Sequence, residues 1–88
     1  MKRIKLTGRE QAVLRAIDYA SGSTGAEIQD RTQIEGCDIA DILHALCDVG
    51  YIESFPDLAA VTFLNYADTR FEVNPSYAQE LKEAMQRS

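Results

Sequence analysis

The sequence predicts a single α+β domain over residues 1–88, in the order helix, helix, helix, strand, connecting segment, strand, helix. Three observations predict this class. Capping signals open the first two helices, apolar residues recur at helical spacing across residues 36–49, and residues 70–73 alternate polar and apolar side chains as a strand does. The chain has 88 residues, 45% of them apolar, which suits one small core and one domain.

The first two helices each begin at a capping box, in which a threonine caps the helix and a glutamate three residues later bonds back to the cap. Thr7-Gly8-Arg9-Glu10 opens the first helix, which we expect to extend to about residue 20 and to end at 21–23. Thr24-Gly25-Ala26-Glu27 opens a short second helix, which we expect to end near 32–33.

The third helix is predicted from residue 36 or 37 to Val49, and Gly50 is typical of the residue that ends a helix. At 100° per residue, its large apolar residues fall on one side and a polar stripe falls on the other. The apolar side holds Ile39, Ile42, Leu43 and Leu46, and the polar stripe holds Cys37, Asp41, His44 and Asp48. The stripe is therefore predicted to face away from the core.

The C-terminal half predicts two strands and a final helix. Residues 51–55 and 70–73 are the strands, and a helix follows Asn74-Pro75 with its apolar face formed by Leu81, Ala84 and Met85. Residues 58–66 are rich in apolar side chains but fit neither the helical nor the strand period. Their conformation stays open between a loop, an extra strand and a short helix.

Residues 32–52 resemble the turn and third helix of a winged helix-turn-helix domain, because Gly50-Tyr51-Ile52 ends the helix and opens a strand as in that family. Residues 70–81 are similar to its returning wing strand and final helix. The resemblance implies a three-helix core, a small antiparallel β-wing and a C-terminal helix. It divides the chain into a basic N-terminal segment (1–6), helices 1–3 with the first wing strand (7–55), the wing (56–73) and the C-terminal helix (76–88).

The winged-helix family commonly binds DNA, with the third helix in the major groove. The resemblance implies that the groove-facing residues here are Cys37, Asp38, Ala40, Asp41, His44, Ala45 and Asp48. None of them is basic, the net charge is −5, and no Lys or Arg lies between Arg31 and Arg70. Because Lys and Arg supply most of the affinity for phosphates, this acidic helix is unsuited to ordinary DNA reading, and nucleic acid is a disfavoured partner.

The alternative function is a DNA-binding transcriptional regulator that is dimeric and grips phosphates with its basic N-terminal segment. Five of the nine basic residues lie in the first fifteen positions: Lys2, Arg3, Lys5, Arg9 and Arg15. Beside the first helix they would form a basic patch. The competing interpretation is that they only keep the chain soluble.

The main prediction is a protein-interaction module, in which apolar residues of the wing and the final helix bind a protein partner or a second copy in a homodimer. The predicted surface consists of Leu58, Val61, Phe63, Leu64, Tyr66, Leu81 and Met85. The acidic third helix would meet a basic partner or stay in water. In the competing interpretation, residues 58–66 fold back and complete the core, and the final helix packs on the domain.

We expect neither catalysis nor a cofactor, because the chain has one His and no Gly-rich loop, and no small-molecule substrate is evident. His44 and Asp48 are weak metal candidates, and Cys37 with His44 is a weak candidate for a metal or redox sensor. No apolar run is long enough for a membrane span, and a cytoplasmic location is expected. The two cysteines are expected to be free thiols.

Overall fold

The structure is a computed structural model that describes residues 4–86. These residues form four α-helices and three β-strands, so the predicted α+β class is confirmed. The elements are α1 (Gly8–Ala16), β1 (Ser23–Thr24), α2 (Gly25–Thr32), α3 (Gly36–Asp48), β2 (Ile52–Phe55), β3 (Arg70–Val73) and α4 (Ala78–Gln86). None of the helices in this range has the length and apolar character needed to cross a membrane.

The three strands form one antiparallel sheet in the order β1-β3-β2. Strands β2 and β3 pair along their whole length, and Ile52 lies opposite Val73. Strand β1 has only two residues, and it places Ser23 opposite Phe71. The sequence analysis does not predict β1, because two residues cannot show the alternation that marks a strand. Pairing with the distant strand β3 is what makes this segment extended.

Both predicted capping boxes are present. The Oγ1 atom of Thr7 accepts from the Glu10 amide at 3.1 Å, and the Thr7 amide donates to the Glu10 carboxylate at 2.8 Å. The same two bonds join Thr24 and Glu27, at 3.2 and 2.8 Å. A helix cap of this kind contributes about 1 kcal/mol, which matters for helices of nine and eight residues.

Helix α1 ends at Ala16, earlier than the sequence predicts. The side chain of Asp18 accepts hydrogen bonds from the amides of Ala20, at 2.8 Å, and Ser21, at 3.4 Å. Such bonds offer the backbone an alternative to the helix, and they replace its last turn with a tight turn. Arg31 then covers the open end of α1 by donating to the Ala16 carbonyl at 2.7 Å.

The core lies between the helices and the sheet, with Phe71 of β3 fully buried. The other fully buried large side chains are Leu14, Ile28, Ile39, Leu43, Leu46, Ile52 and Leu81. Burying each of them contributes roughly 1.5–3 kcal/mol. Leu81 and Met85 are assigned to the interaction surface by the sequence analysis, but they are 0% and 8% exposed. The structure corrects this assignment, because so small a domain uses the apolar face of α4 for its own core.

The connection between β2 and β3, residues 56–69, contains neither a helix nor a strand. It divides the apolar residues of this segment into two groups. Val61 and Tyr66 are 7% and 6% exposed and belong to the core, and Leu58 packs against it partly buried. Their assignment to an exposed surface is therefore also corrected. The large apolar side chains that remain outside are Phe63 and Leu64, 58% and 93% exposed, and the small side chains of Ala59 and Ala60 are exposed as well.

Candidate functional site

The connection 56–69 folds back onto α3 and contacts it at two points. The Val61 amide donates to Nδ1 of His44 at 3.2 Å. The Phe63 ring lies so close to Gly36 that a Cβ atom there would come within 2.8 Å of the ring atom Cε1. Gly36, Ala40 and His44 are spaced four residues apart and so share one stripe of the helix. Ala40, predicted to face outward, is 3% exposed and is a core residue.

The far end of the same connection is attached to α2. The Gly25 amide donates to the Thr69 carbonyl at 3.0 Å, and the Ala26 amide donates to the Ala67 carbonyl at 3.2 Å. The hydroxyl of Tyr66 donates to the side chain of Gln29. The connection is therefore held by both helices rather than extending freely into solvent.

A hydrogen-bonded turn at residues 62–66 places Phe63 and Leu64 at the surface. The Thr62 amide donates to Oδ1 of Asn65 at 2.8 Å, and the Leu64 amide donates to Oγ1 of Thr62 at 3.2 Å. The Asn65 side chain also donates to the Ala60 carbonyl at 3.0 Å. These bonds hold the backbone on both sides of the apolar pair. We call Phe63 and Leu64 in this turn the projection.

The side chains of the projection are only partly packed against the rest of the domain. The Phe63 ring lies 6.0 Å from the Tyr66 ring, measured between centroids, and it leans on Gly36. Leu64 has almost its whole side chain in solvent. An exposed apolar pair that is held in one conformation is typical of a protein-binding surface, because it offers apolar area at little cost in lost conformational freedom.

The solvent-facing side of α3, here called the outer face, is acidic. Its exposed residues are Cys37, Asp41, His44, Ala45 and Asp48, and Asp38 lies half-buried at its edge. Asp38 forms an ion pair with Arg9 of α1 at 2.8 Å. Neither Asp41 nor Asp48 has an ion-pair partner within residues 4–86. Since no Lys or Arg lies between Arg31 and Arg70, the outer face has no cation of its own.

Arg9 and Arg15, two of the predicted phosphate-binding residues, contact different elements of the fold. Arg9 points to α3 and pairs with Asp38, while Arg15 points to α4 and donates to the Met85 carbonyl at 3.0 Å. Lys5 is exposed. Lys2 and Arg3 lie outside the described residues. Within residues 4–86, the basic side chains of the N-terminal part therefore serve different contacts rather than one patch.

The metal and redox candidates do not form a metal-binding cluster: His44 and Asp48 lie one helical turn apart on α3, and no third ligand joins them among residues 4–86. In the described part of the chain, no three side chains of His, Cys, Asp or Glu gather where they would hold a metal ion. His44 uses Nδ1 to accept from Val61, and Cys37 lies two helical turns away from it. Both thiols are free: Cys37 is exposed and Cys47 is half-buried.

Cys47 lies in a groove between the C-terminal half of α3 and β2. The groove has a volume of about 450 Å³, and Ile52, Phe55 and Leu58 also line it. Burial, with a smaller contribution from the Asp57 carboxylate, raises the pKa of the Cys47 thiol to about 11. The thiol is protonated at neutral pH and is a poor nucleophile there.

The sequence analysis missed the residues that shape the projection, namely Gly36 beneath it and the pair Thr62 and Asn65 around it. A signal was available, since Thr and Asn side chains commonly bond to nearby backbone in turns. It was hidden by the apolar residues between them, which dominate the pattern of residues 58–66.

Comparisons with known proteins add no family to this description. No family model, no curated protein and no solved structure matches the chain.

Proposed function

We propose that this chain is a winged helix-turn-helix domain that works as a non-enzymatic protein-interaction module and docks onto another protein through the projection. The order of its elements supports the fold proposal. Three helices, with β1 between the first two, precede an antiparallel pair of strands and a final helix. In such a domain, the connection 56–69 corresponds to the wing.

The exposure of Leu64, 93%, carries the functional proposal. Val61 and Tyr66 of the connection are buried in the core, whereas Leu64 and Phe63 are held out by a turn with its own hydrogen bonds. Fully burying a leucine contributes roughly 1.5–3 kcal/mol. A partner with an apolar pocket would gain that free energy at Leu64.

DNA binding in the family's usual mode is disfavoured by the charge of α3. A third helix in the major groove runs between two rows of phosphates, and its outer face here carries Asp41 and Asp48, which have no ion-pair partner among residues 4–86. The connection that would touch the DNA backbone has no basic residue before Arg70. Binding to nucleic acid gains its affinity by neutralising phosphates, which these residues repel.

A DNA-binding regulator is the second candidate function, and the exposed Lys5 together with the four other basic residues among the first fifteen favours it. Fluorescence anisotropy with a random-sequence duplex tests it. We expect no binding at ~200 mM salt and little at ~50 mM. Salt-sensitive binding that is lost in Lys5→Ala, and kept in Leu64→Ser, would favour this function over the proposed one.

The docking proposal is tested by selecting peptides from a random display library on the full chain. Selected peptides are expected to bind the wild type and to lose at least about tenfold in affinity against Leu64→Ser, a loss typical of an interface anchor. Tyr19→Ser is the matched control, because Tyr19 is 39% exposed and lies beside Lys82 of α4 instead. Peptides that bind both variants equally would contradict docking through the projection.

A further inference from the structure

We infer that the partner of the projection is a cationic protein segment with apolar side chains, which covers the projection together with the outer face of α3. This inference rests on the proposed function, because it names the chemistry of the partner for the same surface. The apolar pair supplies the anchor, and the surrounding charges decide which partner the anchor accepts.

The projection is the apolar anchor of this surface. Phe63 and Leu64 project from a turn in which Thr62 and Asn65 bond to the backbone, so little backbone freedom is lost when a partner binds. Phe63 also rests on Gly36, the first residue of α3. The projection is thereby placed at the N-terminal end of the outer face, and a segment that covers one extends onto the other.

The charges around the projection are of one sign. Exposed Glu35 directly precedes Gly36, on which the Phe63 ring leans, and exposed Asp68 lies in the same connection as the projection. Asp41 and Asp48 follow along the outer face. The stretch without Lys or Arg contains seven acids: Glu35, Asp38, Asp41, Asp48, Glu53, Asp57 and Asp68. Among them, Glu35 and Asp68 near the projection and Asp41 and Asp48 on the outer face would offer complementary charge to a cationic partner.

The four arginines that the structure describes compensate little of this charge. Arg9 pairs with Asp38 at the edge of the outer face. The other three contact groups outside it: Arg15 donates to the Met85 carbonyl, Arg31 donates to the Ala16 carbonyl and to Ser23, and Arg70 pairs with Glu72. Arg9 therefore offsets one carboxylate, and Asp41 and Asp48 remain without a counter-ion among residues 4–86.

A second copy of the chain is a poor occupant of the same surface. In a symmetric dimer each projection would meet the corresponding surface of the other copy, and two acidic outer faces would approach each other. Each chain carries a net charge of −5, so the approach is opposed by like charge. A cationic segment is instead attracted by the negative charge before contact, and the apolar anchor then retains it.

The test uses the full chain and two designed peptides that form the same amphipathic helix. Both carry leucine on the apolar face, and their polar face is lysine in one and glutamate in the other. Dissociation constants are measured by titration at ~50 and ~200 mM salt, and amide chemical shifts locate the site. Leu64→Ser tests the anchor. The double variant Asp41→Asn with Asp48→Asn tests the charge of the outer face. The matched control is the double variant Glu80→Gln with Glu83→Gln on α4.

We expect the lysine peptide to bind at least about tenfold more tightly than the glutamate peptide, with shifts at residues 62–66 and along α3. Leu64→Ser should weaken binding at both salt concentrations. The paired change at Asp41 and Asp48 should weaken binding at low salt and reduce its salt dependence. The matched change on α4 should do neither.

Four results would overturn the inference, and they separate it from the proposed function. Equal binding of the two peptides, lost in Leu64→Ser, would remove the cationic partner but keep docking at the projection. A homodimer that Leu64→Ser dissociates, without peptide binding, would make a second copy the occupant. Lysine-peptide binding that ignores Leu64→Ser, or no binding and no association at all, would contradict both proposals.

Discussion

His44 Nδ1 accepts a hydrogen bond from the Val61 amide at 3.2 Å, and this contact joins α3 to the connection that carries the projection. Since Nδ1 is the acceptor, the proton of the neutral imidazole is on Nε2. The Val61 side chain enters the core next to this bond. The single histidine of the chain thus has a structural partner on the side of α3 that faces the connection.

Removing this acceptor should destabilise the domain. His44→Ala leaves the Val61 amide without its partner, and we expect a loss of about 1 kcal/mol in the free energy of unfolding. His44→Asn keeps an acceptor on a short side chain and should lose less. The measurement is urea denaturation, with Asp41→Ala as an exposed control on the same helix. Equal stability of His44→Ala and Asp41→Ala would show that the bond contributes nothing.

Two glycines in identical local positions should respond oppositely to alanine. Gly8 and Gly25 each follow the capping threonine of a helix. A Cβ atom on Gly25 would lie 2.0 Å from the backbone oxygen of Tyr66, whereas one on Gly8 would meet nothing within 4 Å. Gly25→Ala should cost about 3 kcal/mol or more, since backbone must move.

Gly8→Ala is the control for that change, and it should leave stability unchanged or raise it by up to ~1 kcal/mol, because alanine favours the helix. The measurement is the midpoint of chemical unfolding of each glycine variant, compared with the midpoint of the wild type. Similar losses in both variants would mean that the local helix position, and not Tyr66, makes glycine necessary at residue 25.

Stability should fall as the pH is lowered through the range of the carboxylates. The backbone amides of Ala20 and Ser21 lower the pKa of Asp18 below its ordinary 3.8, and the Thr24 amide lowers that of Glu27 below its ordinary 4.5. In this range the unfolded chain binds more protons than the folded one, so stability rises with pH. The contribution is complete above the ordinary values and is lost as pH falls through the lowered ones.

The pH prediction is checked by urea denaturation between pH 7 and pH 3. The double variant Asp18→Asn with Glu27→Gln should show a shallower fall below pH 4.5 than the wild type, because it lacks both titrating groups. Glu80→Gln on the exposed side of α4 serves as the control. A fall as steep as that of the wild type in the double variant would refute the assignment to these two carboxylates.

The two thiols should differ in their reactivity. Cys37 is exposed, while the pKa of Cys47 is raised to about 11, so about one Cys47 thiol in a thousand is ionised at pH 8. Alkylation should therefore modify Cys37 first, and Cys37→Ser should leave only a slow phase. Mass spectrometry of the modified peptides measures this order. Equal rates at the two sites in the folded protein would contradict the burial of Cys47.

Features that depend on neighbours in sequence were predictable. The capping boxes at Thr7 and Thr24 and the apolar spacing of α3 involve residues within one or two helical turns, so their pattern is visible without the fold. The exposure of Asp41 and Asp48 follows from the same spacing. The acidic charge of this face is a property of composition, and the sequence alone determines it.

Features that depend on distant partners were not predictable. The sequence could not separate Val61 and Tyr66, which are buried, from Phe63 and Leu64, which are exposed, because all four are apolar and fit no period. Whether each of these four side chains is buried depends on the contacts that it makes with α2 or α3. The burial of Leu81 depends in the same way on the packing of α4 against the rest of the core.

The sequence by itself therefore determined where the helices of this chain begin and that its third helix is acidic outside. The tertiary structure decided that two residues form β1, that the connection folds onto α3, and that Phe63 and Leu64 are its exposed large apolar side chains. The physical reason is that helix caps and helical faces are local, whereas strand pairing and the burial of an irregular segment require neighbours that only the folded chain brings close.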